Sequence, residues 1–210
     1  TERVQSVFFT TTFALMGYVA KSDGKVTIDE IAMAEKVMDQ MRLNQQQRTV
    51  AINLFNEGKK PDFPVHEVLA QFKRESFRRR NLIQIFLEII AATAFADGRL
   101  DPREKTLIEG IARDLGYSKP EFDALLNRLS GQAHFNDSES SKDKIKASYE
   151  LLGVSPNCNE VELKKAYRRQ MNQHHPDKLV AKGLPEEMID IATEKTQAIK
   201  AAYDLIKEQL

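Results

Sequence analysis

Apolar residues in this chain recur at intervals of three and four along almost its whole length, and nowhere do they alternate over a useful strand length between turn signals. A 3.6-residue period places such side chains on one face of a helix, so they are buried by packing helix against helix. The spacing predicts an all-α fold, with helices over 3–21, 28–42, 45–57, 65–78, 81–96, 103–115, 119–130, 145–152, 160–174 and 186–208. Capping chemistry marks several starts. Thr27 with Glu30 and Ser118 with Glu121 have capping-box spacing, and Asp101-Pro102 pairs an N-cap with proline at the first helical position.

The 210 residues suit one or two domains with a sizeable core, and 41% hydrophobic with 30% charged residues is a globular composition. The 31 basic and 31 acidic side chains balance, which gives no reason to expect nucleic acid or anionic lipid as the main ligand, although a local patch can still bind either. One cysteine excludes a disulfide framework and a four-cysteine zinc module. The longest apolar run, 83–96, is interrupted by Gln84 and Glu88 and is too short to span a bilayer. Thr1 is not an initiator methionine and no signal-peptide pattern follows, so the chain is expected to begin inside a longer one.

Between Gly131 and Asp143 serines and charges replace the periodic apolar residues, as in a tether that buries too little to fold. The expected organisation is therefore a domain over 1–130, a linker over 131–143 and a second domain over 144–210. The first domain contains a degenerate repeat. Aligned at an offset of 74, Ala20/Ala94, Asp23/Asp97, Gly24/Gly98, Glu30/Glu104 and Glu35/Glu109 are identical and cluster at one turn, which points to a duplicated helical hairpin.

Within the second domain, a helix starting after the N-cap Asn159 has Leu163, Ala166, Tyr167, Gln170 and Met171 on one face. Lys164, Lys165, Arg168 and Arg169 lie on the other. His175-Pro176-Asp177 follows directly, and Pro176 cannot continue the helix, so the His and Asp are displayed at the end of a basic rod. A second periodic segment through Met188, Ala192, Ile199, Ala202, Tyr203 and Ile206 suits antiparallel packing against the first, with Tyr149, Leu152 and Val154 closing the hairpin's end. Tyr149, Tyr167 and Tyr203 read as core.

Four ordered blocks, Tyr149-x-x-Leu152-Gly153-Val154, Leu163–Arg168, His175–Lys178 and Ile199-Lys200-x-Ala202-Tyr203, make residues 147–208 similar to a J-domain, the module of DnaJ-type co-chaperones. That resemblance implies docking onto a DnaK-type chaperone (the heat-shock seventy class) and stimulation of its ATP hydrolysis. Its contacts would be His175, Pro176, Asp177, Lys164, Arg168 and Arg169, with Lys165 and Lys178 as auxiliaries. The catalysis belongs to the partner, so the chain itself is not an enzyme. Basic residues steer association with an acidic surface, which agrees with a docking role. The sequence departs from the family in two places. Thr196 replaces the usual apolar aromatic of the third main helix, and 179–185 is an apolar loop instead of a short polar one.

The duplicated turn, Asp23-Gly24-Lys25-Val26 with Glu30 and Asp97-Gly98-Arg99-Leu100 with Glu104, resembles the TerB-like domain of tellurite-resistance proteins. A TerB-like helical bundle, polar linker and J-domain in that order is similar to the DjlA-like family of membrane-anchored co-chaperones. That likeness implies a membrane anchor upstream, a place on the cytoplasmic face of the bacterial inner membrane, and a first domain that selects an unidentified client or location. No cofactor and no nucleic acid is implied.

The alternative is a TerB-like protein binding a metal or stress ligand, with the J-like part a scaffold that does not stimulate hydrolysis. Asp23, Glu30, Asp97 and Glu104 are its candidate acidic site, for which helix capping is the plainer explanation. Lys73-Arg74 with Arg78-Arg79-Arg80 is a further basic run at a helix junction, read as a solvated face with salt bridges to Glu75 and its neighbours, with contact to phosphate, anionic headgroups or an acidic protein as the alternative.

Overall fold

The computed structural model describes the chain apart from residues 1, 23, 25–27, 96–99 and 139, and apart from the side chains of 29, 30 and 33. Among the described residues every regular element is helical. The order is α1 (Glu2–Ala20), α2 (Ile28–Gln40), α3 (Gln45–Gly58), α4 (Val65–Glu75), α5 (Arg80–Ala94), α6 (Pro102–Asp114), α7 (Lys119–Asp137), α8 (Ser141–Leu152), α9 (Glu160–His174), α10 (Pro176–Ala181) and α11 (Ile189–Lys207). A 3-10 turn over Glu186–Met188 leads into α11.

The repeat reappears in the element boundaries. α1 and α5 end at Ala20 and Ala94, and α2 and α6 run from Ile28 and Pro102 to Gln40 and Asp114, each pair 74 residues apart. Two compact units emerge: Thr1–Lys119 with Val180–Asp190, and Pro120–Leu179 with Ile191–Leu210.

In the first unit α5 is buried along most of its length, with Leu82, Ile85, Phe86, Leu87 and Ile90 wholly enclosed. Its two polar interruptions satisfy each other, Gln84 Nε2 donating to Glu88 Oε1 at 3.0 Å. Phe8 of α1, Phe72 of α4 and Phe86 of α5 meet with ring centroids 4.4–6.0 Å apart, which joins three helices at one aromatic cluster. Phe13 and Phe55 are also buried, whereas Phe9 and Phe63 are half-buried.

α1 and α3 cross in near backbone contact. A Cβ on Gly17 would stand 1.9 Å from the Phe55 carbonyl oxygen, and one on Gly58 would stand 1.8 Å from that of Ala14. The apolar loop after α10 belongs to this unit. Leu184 and Met188 are wholly buried, Gln5 Nε2 donates to the Leu184 carbonyl at 3.3 Å, Gln47 Nε2 donates to Glu187 Oε1 at 2.9 Å, and Arg42 pairs with Asp190 at 2.9 Å. Apolar residues in this loop thus find a core.

The second unit is built on Phe135, Ala147, Leu151, Leu152, Leu163, Ile199, Ala202 and Ile206, with Tyr149 among them and Tyr167 and Tyr203 packed alongside. Tyr167 and Tyr203 stack with centroids 4.3 Å apart. Thr196 is buried where the family has an aromatic, and its hydroxyl donates to the Thr193 carbonyl at 2.9 Å. Residues 131–137, expected within a tether, are helical in α7, and 141–143 of the same expected tether are the first turn of α8. Phe135 joins the core, and Gly131 lets α8 approach so closely that a Cβ would sit 2.5 Å from Leu151 N. A composition of serines and charges concealed this single aromatic anchor.

Candidate docking site

The four blocks of the second unit each have a local cause. Gly153 ends α8 with φ +65, a conformation glycine takes without a Cβ penalty, and Val154 N donates to the Tyr149 carbonyl at 3.0 Å. That bond and the left-handed glycine form a Schellman-type cap. α9 starts on a reciprocal capping box, Asn159 Oδ1 accepting from Glu162 N at 2.9 Å and Glu162 Oε2 from Asn159 N at 3.0 Å.

α9 stops at a residue preceding proline, where the helical conformation is disfavoured; His175 has φ −60 and ψ 123. Pro176 then opens α10, at the position where its missing N–H costs nothing. The His-Pro-Asp triplet is therefore the joint between two helices, where the sequence spacing placed a turn at the end of one. Leu179 N donates to the His175 carbonyl at 3.0 Å and Lys178 Nζ donates to Asn172 Oδ1, which fixes the joint across its two sides. Asp177 and Lys178 are exposed and His175 and Pro176 half-buried.

Lys164, Lys165, Arg168 and Arg169 are all exposed, and among the described residues none of them forms an ion pair. The row is an uncompensated positive strip leading to the joint. Val161, 76% exposed, shares the face by helical spacing with Lys164, Lys165 and Arg168. Sequence reasoning passed over it because an isolated apolar residue gives no periodic signal.

Two histidines adjacent in sequence differ in setting. His174 is buried, its Nδ1 donating to the Gln170 carbonyl at 2.9 Å. His175 Nδ1 is covered and has no hydrogen-bond partner.

Of the acidic candidates, Asp23 and Asp97 lie outside the described residues, as does the side chain of Glu30. Glu104 is buried and closes the capping box of α6, its Oε2 accepting from Asp101 N at 3.3 Å. No group of three His, Cys, Asp or Glu among the described residues is placed to hold a metal. Cys158 is buried in the second core, and burial, then the Glu162 carboxylate, raise its pKa and favour the protonated thiol. No helix among the described residues is long and apolar enough to cross a membrane.

Comparison with known proteins identifies both parts of the chain. Residues 10–127 match the family described as tellurite resistance protein TerB, and residues 147–209 match the DnaJ domain. A protein of Shewanella oneidensis named Co-chaperone protein DjlA is 46% identical over 206 residues, covering 98% of this chain and 79% of the relative. Proteins of the same name from Photorhabdus laumondii and Escherichia coli O157:H7 are 43% and 42% identical, each over 98% of this chain and 80% of their own length. No solved structure matches the chain.

Proposed function

This chain belongs to the DjlA co-chaperone family, and from that premise we propose that it docks on a DnaK-type chaperone through α9 and the His175-Pro176-Asp177 joint and stimulates the partner's ATP hydrolysis. The observation that carries the proposal is the unpaired cationic row Lys164, Lys165, Arg168 and Arg169 running into a rigid joint whose His175 Nδ1 has no partner. Exposed charges without intramolecular anions are free to steer an acidic surface into register. The joint then sets a histidine and an aspartate at a fixed distance from that row. Asp177 and Lys178 complete the contact, Val161 adds apolar area beside it, and no bond is made or broken within this chain.

On this reading residues 144–210 recruit the chaperone and the TerB-like residues 1–130 select the client or place. Joining them raises the effective concentration of chaperone beside whatever the first domain holds. Attachment to the cytoplasmic face of the inner membrane, expected from the family, belongs to the same proposal.

Binding of the ATP-loaded chaperone, measured at increasing salt, tests the docking face. Lys164→Glu with Arg168→Glu is expected to slow association at least tenfold and to flatten its salt dependence, because the row acts through screened long-range attraction. Unchanged association kinetics in that variant would refute the assignment of this face.

A further inference from the structure

The chaperone reading does not use the basic corner between α4 and α5. Five of the eight residues from Lys73 to Arg80 are cationic, and the single carboxylate among them, Glu75, is taken by Arg3 at 2.8 Å. Lys73 Nζ donates to the Asp114 carbonyl at 2.8 Å, and Arg79 Nη1 donates to that of Glu75 at 2.7 Å. These bonds orient the two cations without cancelling their charge. The Arg80 guanidinium lies 4.5 Å from the Tyr117 ring centroid, over its face.

At the tip stands Phe77. It is 68% exposed, the one exposed aromatic among the described residues, and the Arg78 guanidinium lies 5.3 Å from its ring centroid. The tip is fixed. Ser76 beneath it is wholly buried, Phe77 N donates to the Arg74 carbonyl at 3.3 Å, and Arg79 N donates to that of Ser76 at 2.9 Å.

Arg78 occupies the left-handed region, with φ +60. Glycine or asparagine fills such a turn position with less strain, so the turn itself does not call for arginine. One exposed aromatic at a helix junction does not by itself offer the roughly 800 Å² of complementary surface per partner that a stable protein complex buries. Nor does it offer the row of rings on which single-stranded nucleic acid stacks. A lipid surface asks for no complementary shape. It takes an apolar wedge at the acyl boundary and cations at the headgroup phosphates.

We propose that the Lys73–Arg80 corner is a peripheral contact for an anionic bilayer surface, with Phe77 entering the interface and Arg74 and Arg78 meeting the headgroup phosphates. This surface lies outside the α9 docking face and does not depend on the chaperone reading.

The test is sedimentation of the whole chain with vesicles of phosphatidylglycerol and phosphatidylcholine, against vesicles of phosphatidylcholine alone. Wild type is expected to partition onto the anionic vesicles only, and less as salt rises. Removing two cations, in Arg74→Gln/Arg78→Gly, is expected to lower partition about thirtyfold, and Phe77→Ala about tenfold. Arg78→Gly alone provides the dissociating measurement: it is expected to raise the melting temperature, by relieving the left-handed turn, while it weakens vesicle binding.

No partition of wild type onto anionic vesicles would overturn the proposal, as would binding unaffected by Arg74→Gln/Arg78→Gly. Binding abolished by soluble glycerol phosphate yet indifferent to Phe77→Ala would show a free-anion site and not a bilayer contact. Retention on an acidic peptide without vesicle binding would place a protein at this corner instead, and would equally overturn the proposal.

Discussion

Individual residues in this chain are decided by whether a Cβ or a polar atom has somewhere to go. Gly17 and Gly58 look alike in sequence to Gly110, since each lies inside a helix, but their surroundings differ. The first two stand against the facing helix's carbonyl oxygens, whereas a Cβ on Gly110 would meet nothing within 4 Å. Gly17→Ala is therefore expected to force α1 from α3 and lose about 3 kcal/mol or more, beyond the usual cost of overpacking because backbone cannot step aside. Gly110→Ala is expected to gain about 0.5–1 kcal/mol from helix propensity alone. Urea titrations of the two variants check the pair, and similar effects of the same sign would contradict the close crossing. The identities of these glycines were legible in the sequence. Their opposite roles were not, because the approach of a second helix leaves no periodic mark.

Cys158 shows the same dependence on surroundings. Its pKa is raised, first by burial and then by the Glu162 carboxylate. A raised pKa keeps the thiol protonated in the folded chain at pH values where the unfolded chain has begun to ionise. The stabilising contribution is whole below the thiol's ordinary value and is lost as pH climbs toward the raised one. Iodoacetamide at pH 8.5 is expected to modify Cys158 much more slowly in the folded chain than in urea. Equal rates would contradict the burial.

At the scale of elements, capping boxes open α3, α6 and α9; the last two were readable, Asn44–Gln47 of α3 was passed over, and Thr27 of the box expected at α2 lies outside the described residues. The Asn159–Glu162 and Asp101–Glu104 boxes are present in both directions. Asn159→Ala is expected to cost about 1 kcal/mol and to fray the first turn of α9, read as a lower melting temperature and faster amide exchange at 161–163. Exchange unchanged there would mean that packing of Leu163 alone holds the helix start.

Other element boundaries were not legible: α4 stops at Glu75 and α8 starts at Ser141, against the expected 78 and 145, and α7 and α10 depart further. α7 continues to Asp137 because Phe135 finds the second core, and one aromatic among serines and charges is too sparse for a periodicity to register. α10 was hidden by Pro176. Proline was read correctly as ending one helix, but its fixed φ equally suits the first position of the next. The cationic side of α9 was legible from spacing because four charges recur on a single face; the exposed Val161 among them was not.

For the whole molecule, the sequence order of modules and the division into compact units differ at two places: residues 120–130, expected in the first domain, fall in the second unit with the rest of α7, and residues 180–190 fall in the first. Residues of Val180–Asp190 follow the His-Pro-Asp joint in the chain but pack in the first unit, where Leu184 and Met188 are wholly buried. Their apolar character was visible in the sequence, and the core that receives them was not, because its residues are more than a hundred positions away. Leu184→Ala is expected to destabilise the first unit by about 2–5 kcal/mol. In a fragment of residues 144–210 these side chains lose their cover, so amides of 182–190 are expected to exchange faster than in the whole chain. Exchange at the same rate in both would show that the loop is ordered by its own sequence.

Single-turnover hydrolysis of ATP by a DnaK-type chaperone, with and without this chain and beside His175→Gln, addresses the co-chaperone role most directly. Wild type is expected to accelerate hydrolysis severalfold or more, and His175→Gln to abolish the acceleration while leaving the melting temperature within a few degrees of wild type. No acceleration by a folded wild-type chain across chaperones of this class, or full acceleration by the folded His175→Gln chain, would contradict the role assigned to the His-Pro-Asp joint.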